Sequence, residues 1–201
     1  MKKIMFNDRY GLTEAVLNGR KTQTRRIITN YTCIRLSPFC KSGVEDNHGY
    51  ELKPKYHVGE IVAIAQSYKD VGVNPRSVIE LPIKGSKTKG ILQCEAQYSP
   101  GWTNKMFVRA DLMPYHIRIT KVGFERLQNI SDEDCIKEGI RRWTKDKELF
   151  KYDLSDGFTM FWWRDMPKIP REAYAALINR ISGKDTWESN PYVFVYDFEL
   201  V

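Results

Sequence analysis

Between Tyr192 and Leu200 the chain repeats a large apolar side chain at every second residue: Tyr192, Phe194, Tyr196, Phe198, Leu200. That spacing lines one face of a β-strand, and a row of aromatics must be covered. The strand therefore has to be locked into a sheet, and the rest of the chain has to supply it. Residues 3–6 alternate weakly and predict a short strand. Val58-Gly59-Glu60 reads as a turn feeding the buried strand Ile61-Val62-Ala63-Ile64-Ala65. Tyr115 to Leu127 predicts a long strand. Within it Ile117 and Ile119 share one face while Val122 and Phe124 occupy the other, which points to a bulge near Thr120 to Gly123.

Helices are fewer. Asn7 or Asp8 can cap one carrying Leu12, Ala15 and Val16, with Gly19 past its end. Ser131 followed by Asp132-Glu133-Asp134 is an N-cap with acids at the positive end of the dipole. That helix runs to Glu138 and stops at Gly139. Pro170 suits the first turn of a helix carrying Ala173, Leu177, Ile178 and Ile181, ended by Gly183. Residues 29–57 read mostly as loop. Residues 69–104 read as a hairpin-bearing insertion with β-prone pieces at 78–81 and 91–98. Residues 141–168 hold a polar linker and the aromatics Phe158, Phe161, Trp162 and Trp163, expected to pack in the core. Short strands, long connections and few helices predict an α+β fold, a single domain around a small mixed barrel.

The 201 residues carry 32 Lys+Arg against 25 Asp+Glu, a formal charge of +7, which favours an anionic partner such as nucleic acid. No apolar run approaches the roughly 18 residues of a membrane span, and the start is charged too soon for a signal peptide. A cytoplasmic protein without a membrane partner is expected. Cys33, Cys40, Cys94 and Cys135 are read as reduced thiols rather than a disulfide framework. The gap between Cys33 and Cys40, even with His48, lacks the tight pairing of structural zinc sites. Nothing demands a metal or an organic cofactor, and no oligomeric state follows.

The most informative segment is Arg20-Lys21-Thr22-Gln23-Thr24-Arg25-Arg26, four cations and two hydroxyls without a carboxylate. It can bind phosphates through Arg20, Lys21, Arg25 and Arg26 with help from Thr22 and Thr24, or form a solvated basic edge. A catalytic reading also exists. Neighbouring cations and burial would lower the Lys21 pKa and free a neutral amine to act as base on Thr24 or a water. In a flat strand, however, Lys21 and Thr24 point to opposite faces, so they meet only across a turn or bulge. Glu138, at the carboxyl end of its helix where the dipole disfavours an anion, is the natural acidic counterpart or a plain exposed carboxylate. The five tryptophans could stack on bases. None of His48, His57 and His116 stands in a serine- or cysteine-hydrolase pattern, and His116 is read as structural.

Leu17-Asn18-Gly19-Arg20-Lys21-Thr22-Gln23-Thr24-Arg25-Arg26 resembles the signature of ASCH domains, members of the PUA-like barrel superfamily. Val58-Gly59-Glu60-Ile61-Val62, the stretch from Val122 to Gly139 and Trp187-Glu188-Ser189-Asn190-Pro191 with the strand after it are similar in the same order. Together they span about half the chain and are similar to ASCH proteins of phages and prophages. Residues 69–104 and 141–170 look like insertions. The resemblance implies a PUA-like mixed β-barrel with a cleft where the basic segment meets the helix near Glu138, and RNA or a modified nucleotide as ligand. It also implies an alternative, hydrolysis of the acetyl amide of N4-acetylcytidine by Lys21, Thr24 and Glu138. A third reading is a phage-associated protein-interaction module.

Overall fold

Local chemistry sets most element boundaries. In the computed structural model, which describes residues 1–29, 34–75, 97–155 and 157–201, the chain forms two compact units. The expected β-prone pieces at 78–81 and 91–96, together with Cys33 and Cys94, lie outside the described residues. The architecture is mixed α+β, with sheets and few helices.

The first unit holds residues 1–6 and 61–117. In it β1 (Lys3–Ile4) pairs in parallel with β5 (Ile61–Ile64), Ile4 opposite Ile64. Ala63, Ala65, Tyr68, Val108 and Met113 form a buried cluster against which Trp102 packs. Ser67 caps the one-turn helix α2 (Tyr68–Val71) by accepting the Asp70 N–H. The Tyr68 ring fills the space beside Gly101, and its hydroxyl accepts the Arg109 N–H at 2.9 Å.

The second unit holds residues 7–60 and 118–200. Here β6 (His116–Arg126, from Arg118 onward), β9 (Tyr192–Leu200) and β2 (Gln23–Ile27) lie side by side in that order. β2 and β9 are antiparallel, with Thr24 opposite Tyr196 and Arg26 opposite Phe194. Helix α1 (Leu12–Leu17) buries Leu12, Ala15 and Val16 as expected. Its start is a correction. Asn7 caps a separate 3-10 turn at Asp8–Tyr10, and Gly11 at φ 63° breaks the two apart, because the Phe158 ring fills the space a Cβ would need.

Helix α3 (Asp132–Lys137) is capped by Ser131, and α4 (Pro170–Ser182) buries Ala173, Tyr174, Leu177 and Ile178. A short helix α5 (Thr186–Ser189) precedes β9.

Two stretches expected to lack regular structure contain hairpins: β3 (Ile34–Leu36) with β4 (Val44–Asp46), and β7 (Arg141–Thr144) with β8 (Phe150–Asp153). Their shortness and exposure hid them: β3 offers three residues, two of them exposed, and β7 is mostly exposed and polar. Nor do all the aromatics near residue 160 enter the core. Trp162 is 83% exposed, and Trp163 and Phe161 lie under Lys145 and Arg180 instead.

Candidate functional site

The site begins at the end of α1. Gly19, at φ 68°, turns the chain back so that the N–H groups of both Arg20 and Lys21 donate to the Ala15 carbonyl, at 2.8 and 2.9 Å. The Thr22 N–H then donates to the Lys137 carbonyl at 2.9 Å, joining this segment to the end of α3. Glu138 is the next residue of that helix end. Its carboxylate meets the Lys21 ammonium at 2.5 Å, and its own carbonyl accepts from the same Nζ at 2.8 Å. Lys21 is 2% exposed and Glu138 4%. Gly139, at φ 107°, lets the backbone turn beside the Lys21 alkyl chain and Leu12.

From Gln23 onward the segment is a strand, and alternation sorts its side chains. Gln23 and Arg25 face α3. The Arg25 guanidinium donates to Glu138 Oε1 at 3.3 Å, to Glu125 Oε1 at 2.7 Å and to Asp134 Oδ2 at 3.4 Å. Its Nη1 also donates to Gln23 Oε1 at 2.5 Å, and Gln23 Nε2 donates to Asp197 Oδ1 at 2.6 Å. The basic segment lacks acids of its own; folding brings them from a hundred residues away or more.

Burial pushes the Lys21 amine below its ordinary value, assisted by Arg26 and Arg25 and opposed by Glu138. Burial would lower Arg25 too, but Glu138, Tyr174 and Glu125 outweigh it and hold the guanidinium charged. Tyr174, from α4, is pushed well above its usual range by burial and by Glu138. Burial raises the Cys135 thiol to about 12, so it is an inert core group.

Lys21 and Glu138 thus stand in contact. Thr24 and Arg26 lie on the opposite face of β2, at the register positions of Tyr196 and Phe194. Thr22 is half-buried and held through its backbone, with its carbonyl accepting the Phe198 N–H. Arg20 lines a cavity of about 700 Å³ with Arg141, Arg142 and Tyr152, alongside Gly139 and Ile140; Asp132 and Glu133 line it as well. Arg141 and Arg142, on β7, were not singled out from the sequence, because a polar linker gives no sign of where its cations project. Glu125 and Asp134 were also missed as partners of Arg25. The alternation of β6 and the 3.6-residue period of α3 are the signals that could have suggested them. Among the described residues no group of three or more His, Cys, Asp or Glu is arranged to hold a metal ion, and no helix is long and apolar enough to cross a membrane.

The chain matches no protein-family model and no curated protein. Among solved structures it is similar to an ASCH domain from Lactobacillus crispatus JV V101, at 14% identity and a TM-score of 0.36, over 97% of this chain and 75% of that one.

Proposed function

We propose that this protein recognises RNA or a modified nucleotide, with the cavity edged by Arg20, Arg141 and Arg142 as the binding site. Three arginines lining one cavity, near the Lys21–Glu138 pair, are the observation that carries the reading; the Arg141 and Arg142 guanidinium groups also lie over the Trp143 and Phe150 rings. Guanidinium forks match phosphate oxygens, while Asp132 and Glu133, which also line the cavity, would repel an anion from their own vicinity. Arg20 is the member of the basic segment that lines this cavity. Lys21 and Arg25 act behind it, holding the ends of α1, β2 and α3 together through Glu138. The same reading makes β2, β6 and β9 part of a PUA-like mixed barrel in a cytoplasmic protein.

The test is RNA binding by fluorescence anisotropy across a salt series, with structured and single-stranded pools. The affinity should fall steeply with salt. The triple variant R20A/R141A/R142A should flatten the log–log slope by about 2 on a single strand, near 0.7 for each phosphate that is no longer neutralised. No binding at low salt, or an unchanged slope in the triple variant, overturns the reading.

A second reading, hydrolysis of an N4-acylated cytosine nucleoside, is favoured by one observation: a buried amine with a lowered pKa touching a carboxylate. In it neutral Lys21 takes a proton from water as the water oxygen bonds to the acyl carbon. Glu138 relays a proton to the leaving amine nitrogen, the C–N bond breaks, and acetate and cytidine separate. Water fits as nucleophile better than Thr24, which occupies the Tyr196 side of β2. Recognition ranks first because the cavity reaches Gly139 and Arg20 rather than the pair itself. Chromatography of N4-acetylcytidine incubated with the protein and with Lys21→Ala decides it; no product, or equal product from both, rejects the chemistry.

A further inference from the structure

A second cavity, of about 990 Å³, opens in the same unit on the Phe194 side of the sheet. Its walls carry Phe39, Phe124, Phe194, Val58 and Val122. Phe39, on the loop joining β3 to β4, is 95% exposed, although its ring gains nothing from water. Phe124 and Phe194 belong to an ordered aromatic array. Phe124 stacks on Tyr192 at 4.8 Å between centroids and meets Phe194 edge-on at 5.9 Å, and the Arg126 guanidinium covers Tyr192 at 3.6 Å.

Lys41, Lys53 and His57 stand among these rings, against one carboxylate, Glu51. Glu51 accepts the Ser42 N–H at 2.8 Å and is drawn toward Lys53, so two lysines face one carboxylate and one positive charge is left over.

Aromatic rings in a cavity that two lysines also line match a flat ring attached to an anion. We propose that this cavity binds a nucleotide, with its heteroaromatic base stacked on the phenyl groups and its phosphate held by Lys41 and Lys53. The inference stands apart from the arginine-edged cavity and does not depend on that cavity's function. The shared chemistry, ring plus phosphate, comes either from a free nucleotide or from one residue of a strand.

Calorimetric titration of the full chain at low salt with AMP, adenosine and ribose 5-phosphate tests it. AMP should bind more tightly than either half. Phe39→Ala and Lys53→Ala should each weaken AMP binding by about fivefold or more. Both side chains sit at the cavity rather than in the core, and thermal unfolding of each variant checks that the fold is intact. Lys184→Ala, exposed and lining neither cavity, should leave AMP binding unchanged, whereas Arg20→Ala removes only what the arginine-edged cavity holds. Tetra-adenylate binding more tightly than AMP assigns the source to a strand; equal binding assigns it to a free nucleotide. No AMP binding at millimolar concentration, AMP binding unaffected by both cavity variants, its weakening in Lys184→Ala, or its complete loss in Arg20→Ala overturns the proposal.

Discussion

Removing the Glu138 carboxylate strands two buried cations at once, Lys21 at 2.5 Å and Arg25 at 3.3 Å. Breaking a buried ion pair from one side costs about 3–5 kcal/mol, because the surviving charge is left without compensation. Here two features pull Glu138→Ala to the lower end, about 3 kcal/mol. Arg25 keeps Glu125 at 2.7 Å and Asp134 at 3.4 Å, and Lys21 has a lowered pKa and can shed its proton. Lys21→Met is gentler. It leaves Glu138 facing Arg25 and fills the same volume with apolar atoms, so about 1 kcal/mol is expected.

The double variant should fall short of the summed losses by about 1–2 kcal/mol, the coupling of directly contacting groups. Urea unfolding of the four proteins measures the cycle. For a chain of this size the Glu138→Ala loss corresponds to a melting shift of about 6–12 °C. Additive losses, or a Glu138→Ala loss under about 1 kcal/mol, would show that the pair is not energetically coupled.

The pH dependence has a definite sign. Lys21 binds its proton less well folded than unfolded, so between its depressed folded value and the ordinary 10.5 the unfolded chain holds more protons. Stability contributed by Lys21 therefore rises with pH across that window. Lys21→Met should remove the rise.

Other expectations are local. Gly11→Ala places a Cβ 2.5 Å from the Phe158 ring at φ 63° and should cost about 2 kcal/mol or more in unfolding free energy. Asp153, fully buried, accepts N–H bonds from Leu154, Met160 and Phe161 at 2.7–2.9 Å. Asp153→Ala orphans those donors, so limited proteolysis should cut near residue 160 faster than in the unsubstituted chain, with about 3 kcal/mol lost. Ser131→Ala deletes the acceptor of the Asp134 N–H and should lower stability by about 1 kcal/mol, measured by urea unfolding.

Elements whose causes are local were readable. Ser131 with the acids after it, Pro170, and the alternation from Tyr192 each carry their signal within a few residues, and the observed α3, α4 and β9 start where those signals stand. The hairpin β7–β8 was not readable, since β7 is mostly exposed and polar and β8 buries Lys151 and Asp153 rather than its aromatics, against the usual pattern. The break at Gly11 depends on Phe158, almost 150 residues away, and no local pattern around Asp8 contains it.

The seven residues from Arg20 to Arg26 divide along the same line. Their charge and hydroxyl content, the lowering of an amine among cations, and the opposite facing of Lys21 and Thr24 in extended chain follow from residue type and β-geometry alone. Folding settled which cations meet water and which meet carboxylates. Glu125, Asp134, Glu138 and Asp197 come together on one face of β2 only because β6, α3 and β9 pack there. Coulomb attraction acts through space, and the order of residues along a chain does not record the distances that folding creates.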